Sequence, residues 1–115
     1  YGRSQMIYYY VQISVNTSVQ TDWIQWMMET HIPDVVKTGH FKNCYFQQII
    51  DPMPTNEKVE FLVVYECESV ETLRKYREND APGLMAEHEK KFGGSFEAKR
   101  FVGAPLRIPE GKVKF

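Results

Sequence analysis

Hydrophobic side chains near the N-terminus repeat first with a period of two and then with a period of four. From Met6 to Val15, apolar residues alternate with a mixed set that still carries Tyr8 and Tyr10, a pattern typical of a strand with one buried face. From Val19 to Val35, apolar residues recur every four positions, which predicts an amphipathic helix with a wide apolar stripe. Ser18 precedes this helix and is its predicted N-cap.

A proline interrupts the predicted helix near its C-terminal end. Pro33 has no N–H and clashes with the carbonyl of Glu29, so we expect the helix to kink or restart there and to release that carbonyl. His31 lies two residues before the proline and falls on the inward-facing stripe. Gly39 ends the helix as the residue after its C-cap.

The remainder of the chain predicts a hairpin, a broken helix and a last strand. The predicted elements are strands at Asn43–Ile50, Val59–Cys67 and Ser95–Val102, and a helix that is capped by Ser69, broken at Asp80–Pro82 and terminated at Gly93-Gly94. His88 falls on the apolar stripe of the second helical piece, between Leu84 and Phe92.

This order, β-α-β-β-α-β, predicts a ferredoxin-like α+β fold, in which two kinked helices cover one face of a four-stranded antiparallel sheet. The opposite face then carries Tyr8 and Tyr10 without a cover, and two such faces can pack together in a homodimeric α+β barrel. We expect one domain over residues 6–103, a C-terminal arm over residues 104–115, and an expression remnant over residues 1–5.

Composition narrows the choice of partner and compartment. The chain has 115 residues and a formal net charge of −1, so no global field draws it to nucleic acid or to an anionic membrane. No stretch reaches the ~20 apolar residues of a membrane span. Cys44 and Cys67 lack metal-type spacing; they are free thiols, or form a disulfide if their strands are neighbours. We expect a cytoplasmic protein without a cofactor.

Two segments, WIQWMMETHIPDVVKTGHF and MAEHEKKFGGSFEAKR, resemble a bacterial family catalogued as a domain of unknown function within the dimeric α+β barrel superfamily. The resemblance covers residues 6–101. It implies a dimer and, as in many superfamily members, a pocket between the sheet and the helices. The superfamily includes cofactor-free monooxygenases, polyketide cyclases, haem-degrading enzymes and ligand-sensing modules. Haem-degrading members use a strand tryptophan, whereas Trp23 and Trp26 both fall on the first helix here.

Two histidines are the candidates for chemistry. His31 and His88 belong to helices that cover the same face of the sheet, so both are expected to point inward as candidate general bases; whether they share one pocket stays open at this point. The other expected pocket residues are Tyr9, Trp23, Met27 and Tyr65.

Each candidate also has a structural interpretation. A histidine on an apolar stripe is often a neutral core residue, and the released carbonyl of Glu29 is a ready partner for His31. Trp23 and Trp26 can serve as core or interface rather than as pocket wall. Arg77 can hold an anion if it faces inward. No metal site is expected, because too few ligands converge on one point.

Three functions therefore remain open for this sequence. The first is a homodimer that binds a small apolar or aromatic molecule between the sheet and the helices. The second is a cofactor-independent monooxygenase or cyclase with a histidine base, and the third is a structural dimer without a ligand.

Overall fold

The computed structural model describes residues 5–112 and confirms the βαββαβ order. The strands are β1 Ile7–Asn16, β2 Phe41–Gln48, β3 Lys58–Cys67 and β4 Phe96–Gly103, and the helices are α1 Gln20–Trp26, α2 Ile32–Lys37, α3 Val70–Asn79 and α4 Ala81–Phe92. None of these helices among residues 5–112 has the length and apolar character needed to cross a bilayer.

The four strands form one antiparallel sheet in the order β2-β3-β1-β4. Strand β1 lies in the middle and pairs with β3 from Ile7 opposite Cys67 to Asn16 opposite Lys58. Strand β4 forms one edge, where Arg100 lies opposite Val11. This is the ferredoxin-like α+β arrangement that the sequence predicted.

The two faces of the sheet differ as the alternation in the sequence requires. The helix-covered face contributes the alternate residues of β1 and β3 to the core: Ile7, Tyr9, Val11, Ile13, Val15, Val59, Phe61, Val63, Tyr65 and Cys67 are all buried. The other face carries Tyr8 and Tyr10, which stay half-buried, and Phe101, which stacks on Tyr10 with ring centroids 5.0 Å apart. No helix among residues 5–112 covers this bare face.

The first helix restarts as α2 at Pro33, which is one of the two outcomes that the sequence predicted there. A short 3₁₀ turn, Thr17–Val19, leads into α1, and the expected side-chain cap from Ser18 is not made. Between α1 and α2 the chain forms a π-helical turn, Met27–His31, which closes with the N–H of Ile32 donating to the carbonyl of Met27. Pro33 then lies in the first turn of α2, where a missing N–H costs nothing. The helix thus accommodates the proline by widening one turn earlier.

The second helix breaks where the sequence predicted. Ser69 caps α3 by accepting a hydrogen bond from the backbone N–H of Thr72 at 3.1 Å. Asp80 separates α3 from α4, and its carboxylate lies 2.9 Å from His40 Nε2. Gly39 has the positive φ, 84°, expected of a residue that ends a helix.

The bounds of strand β2 differ from the predicted ones. Strand β2 begins at Phe41 rather than Asn43, because an irregularity after Phe41 extends its pairing with β3, and it ends before Ile50.

Cys44 and Cys67 are free, and burial raises the pKa of Cys44 to about 11. Of the expected remnant, residues 1–4 lie outside the described residues, as do residues 113–115 of the C-terminal arm; residues 104–112 of the arm are exposed.

Candidate functional site

His31 and His88 meet between the helices and the sheet. His31 ends the π-helical turn and His88 lies in the middle of α4, and their ring centroids are 5.2 Å apart. His88 is 3% exposed, and it is the one buried histidine among residues 5–112. The two imidazole rings therefore lie beside each other, a relationship that the sequence alone left open.

Trp23 fixes the position of His88 by a hydrogen bond. Its indole Nε1–H donates a hydrogen bond to His88 Nε2 across 2.9 Å, with both groups buried. Phe96, at the start of β4, stacks on the face of the imidazole with a centroid distance of 3.8 Å and an interplanar angle of 2°. His88 is thus fixed in position, and its Nε2 already has a donor.

His31 is held by stacking and lacks a partner at one nitrogen. Its ring stacks on Trp26 at 5.1 Å between centroids. Its Nδ1 is buried without a hydrogen-bond partner among residues 5–112, so the predicted bond to the carbonyl of Glu29 is not made by this atom. A buried polar atom without a partner is rare in folded proteins and calls for a physical explanation.

Both imidazoles are neutral at physiological pH. Burial lowers the pKa of His31 to about 4, with a smaller lowering effect from Arg100 and an opposing one from Asp34. Burial also lowers the pKa of His88 to about 3, helped by the nearby His31 and Arg100. A neutral imidazole has one donor and one acceptor nitrogen, and in His88 the bond from Trp23 makes Nε2 the acceptor.

A cavity of about 30 Å³ lies between the sheet and the helices beside these histidines. Such a volume holds one or two water molecules. Its lining consists of Tyr9, Val11, Ile13, Met27, His31, Val63, Tyr65, Tyr76, Ala81, Leu84, Met85, His88 and Arg100. Met85 and Arg100 are the exposed members of this lining, so the cavity opens between α4 and the edge strand β4.

Most of the predicted pocket residues reach this cavity. Tyr9, Met27 and Tyr65 line it, whereas Trp23 does not. Trp23 is fully buried and packs on Phe61 at 4.7 Å between centroids. It therefore belongs to the core and contacts His88 from outside the cavity lining.

Arg100 is not among the predicted site residues, although the sequence carries a signal for it. Period-two alternation along β4 places Phe96, Ala98 and Arg100 on the same face, and the register opposite Val11 turns that face toward the helices. Arg77, a predicted anion ligand if it faces inward, lies with its Cζ 4.8 Å from the centre of the Tyr9 ring. Two guanidinium groups therefore flank the cavity region.

The donor set does not suit a metal. No group of three or more histidine, cysteine or carboxylate side chains converges within residues 5–112. The polar side chains that line the cavity are two histidines, three tyrosines and one arginine. Such a set suits hydrogen bonding to an organic molecule and proton transfer at one.

Residues 6–102 match the model of the family described as "Domain of unknown function (DUF4286)". No functionally curated protein matches the chain significantly.

Solved structures with low sequence identity share the fold. An ethyl tert-butyl ether D (EthD) family protein from Bacillus halodurans C-125 is 12% identical, covers 87% of this chain and 99% of its own, and superposes with a TM-score of 0.66. A candidate monooxygenase from Shewanella loihica PV-4 is 13% identical, covers 93% and 100%, and has a TM-score of 0.62. A dimeric ferredoxin-like protein from an uncultured marine organism is 8% identical, covers 91% and 100%, and has a TM-score of 0.51. At these identities the similarity establishes the fold alone.

Proposed function

The chain belongs to the DUF4286 family, and from its geometry we propose that it binds a small planar or apolar molecule between the sheet and the helices. One observation carries this proposal: a buried histidine nitrogen without a partner belongs to a residue that lines a cavity. A hydroxyl group on a ligand would satisfy His31 Nδ1 in either tautomer, because a hydroxyl can donate and accept.

The walls of the cavity fit a ring better than a polar ligand. Tyr9, Tyr65 and Tyr76 supply aromatic surfaces, and burial raises the pKa of both Tyr65 and Tyr76, so these hydroxyls stay protonated. Binding sites for small molecules commonly combine such apolar walls with a few polar groups.

The cavity must widen to admit a ring. Its volume of about 30 Å³ is far below the roughly 150 Å³ of an engineered cavity that binds benzene. Met85 borders the opening and is 42% exposed, and methionine changes rotamer at little cost. We propose that the ligand enters between α4 and β4 by displacing this side chain.

A titration with phenol and benzene, followed by NMR line shifts and by tryptophan fluorescence, tests this proposal. The unaltered protein should bind phenol, with shifts centred on His31, Met85 and Tyr9. His31→Phe keeps a ring against Trp26 but removes the polar atom, so it should weaken phenol binding about 3- to 10-fold and leave benzene binding unchanged. His40→Phe is the matched control, since His40 does not line the cavity. Absence of binding by both probes contradicts the proposal.

A cofactor-independent enzyme, such as a monooxygenase or cyclase, is the second candidate, and the paired neutral imidazoles favour it. Neutral His31 can accept a proton from a phenol or an activated methylene, whereas His88 Nε2 is occupied by Trp23. The low pKa of His31, about 4, makes it a weak base at neutral pH, so binding without turnover ranks first.

Hydrogen–deuterium exchange distinguishes the two candidates. In D₂O, a base in the cavity would remove an acidic C–H proton from 2-tetralone and return a deuteron, which NMR detects. Exchange that is faster with the unaltered protein than with His31→Phe supports the enzyme. If the exchange rate is the same with the unaltered protein and with His31→Phe, and phenol binds, the protein binds its ligand without turnover.

The bare face of the sheet supports a homodimer as the functional unit. Tyr8, Tyr10, Leu62 and Val64 lie on this face and stay half-buried. Glu60 shares it, and its Oε2 is buried without a hydrogen-bond partner among residues 5–112. We propose that a second copy of the chain covers this face. The two free thiols fit a reducing compartment such as the cytosol.

A further inference from the structure

Arg100 occupies a special position at the opening of the cavity. It lies on the helix-facing side of the edge strand β4, opposite Val11. It lines the cavity and is exposed to solvent, so it lies at the border between the two. Every neighbouring lining position on β1 and β3 is buried.

The charges around the cavity are unbalanced. Among the lining residues, Arg100 is the only one with a fixed charge, and none is acidic. The ion pairs found within residues 5–112 do not include Arg100. Arg77 adds a second positive charge beside Tyr9, and the carboxylate that acts on His31 is that of Asp34, outside the lining.

From this arrangement we propose that the ligand is a small planar acid whose carboxylate pairs with Arg100 at the opening while its ring enters between Tyr9 and the histidines. The proposal rests on the binding function argued above and adds the class of ligand. A guanidinium group binds a carboxylate through two parallel hydrogen bonds, which fixes orientation as well as supplying charge.

The interior supports this orientation. The positive charge of Arg100 contributes to lowering the pKa of both His31 and His88. A bound carboxylate would neutralise that charge where no protein carboxylate does. A ring hydroxyl on such an acid would then lie on the side of His31, whose Nδ1 lacks a partner.

Matched probes test the proposal: benzoate and benzamide have the same ring and nearly the same shape but differ in charge. Isothermal titration of the unaltered protein should show benzoate binding about 10-fold or more tightly than benzamide. Arg100→Gln should abolish this preference by weakening benzoate while leaving benzamide unchanged. Arg100→Lys should restore part of it, because the charge returns without the planar pair of donors.

Lys99→Gln is the control, since Lys99 is the adjacent cation on the opposite face of β4. It should leave the preference for benzoate intact. Equal binding of benzoate and benzamide by the unaltered protein, or a preference that survives Arg100→Gln, overturns the proposal of an acid and leaves the binding function standing. If neither of these probes nor phenol and benzene binds, the binding function itself fails, and this inference fails with it.

Discussion

Trp23 donates its indole N–H to Nε2 of His88 in the core, across 2.9 Å. Because Nε2 accepts this bond, the proton of the neutral imidazole resides on Nδ1. The two histidines that the sequence treats alike therefore differ in chemistry. In His88, Nε2 accepts a hydrogen bond and the proton therefore lies on Nδ1. In His31, Nδ1 has no hydrogen-bond partner among the described residues.

Replacing Trp23 tests this assignment. Trp23→Phe keeps an aromatic ring but removes the donor, so His88 Nε2 becomes a buried acceptor without a partner. We expect the free energy of unfolding to fall by about 1–3 kcal/mol for the lost partner, in addition to the cost of the smaller ring. Urea unfolding measures the stability, and ¹⁵N shifts of the imidazole report the tautomer, which should change from pure Nδ1–H to a mixture.

Trp26→Phe provides the comparison for that variant. Trp26 packs against His31 and His88 through its ring and makes no hydrogen bond to either. This variant should leave the tautomer of His88 as it is. If Trp23→Phe also leaves His88 purely in the Nδ1–H form, the proposed control of the tautomer by Trp23 is wrong.

Acid should destabilise the protein through the buried histidines. The pKa of His31 is about 4 in the folded protein and 6.5 for an unperturbed histidine, so the unfolded chain binds the proton more tightly. The stability associated with neutral His31 is complete above about pH 6.5 and is lost as the pH falls toward 4. His88, with a pKa of about 3, acts in the same direction down to a lower pH.

His31→Phe isolates this contribution, because it keeps the ring and removes the titration. Between about pH 7 and pH 5, its free energy of unfolding should fall less than that of the unaltered protein, by about 2 kcal/mol. Urea unfolding at the two pH values gives the difference. The interpretation is wrong if the ring protons of His31 titrate near pH 6.5 in the folded protein.

The fold was predictable because it follows from periodicity. The alternation in β1 and the break at Asp80 are local patterns, and the structure confirms the elements that they predict. The π-helical turn at Met27–His31 was not predictable in this way. Pro33 signals that the helix must adjust, but whether it bends at the proline or widens one turn earlier depends on how the helix packs on the sheet.

The candidate site was predictable only in part, for the same reason. Helical phase shows that Trp23 and His88 both face inward, but not that one donates a hydrogen bond to the other from 65 residues away. The inward direction of Arg100 follows from the alternation of β4. Its position at the opening depends on how far α4 covers the edge strand, which no local pattern contains.

A charge on the bare face should prevent dimer formation. Val64 lies on that face beside Tyr10, its partner in the β1–β3 pairing. Light scattering of the unaltered protein at micromolar concentration should give twice the chain mass of 13.5 kDa, and Val64→Lys should give the mass of one chain, because a buried unpaired ammonium is costly. Glu87→Lys is the control: Glu87 is an exposed residue of α4, and this variant should stay dimeric. A monomeric unaltered protein contradicts the proposed dimer.

The opening beside Met85 should control access to the cavity. Met85→Ala shortens an exposed lining side chain, so its cost in stability should be small and the path between α4 and β4 should widen. Stopped-flow fluorescence with benzoate should show a faster association rate, by about 3-fold or more if displacement of this side chain limits entry. Met28→Ala removes a comparably exposed methionine that does not line the cavity, and its association rate should equal that of the unaltered protein. If the association rate of Met85→Ala equals that of Met28→Ala, Met85 does not obstruct the path, and the ligand enters elsewhere.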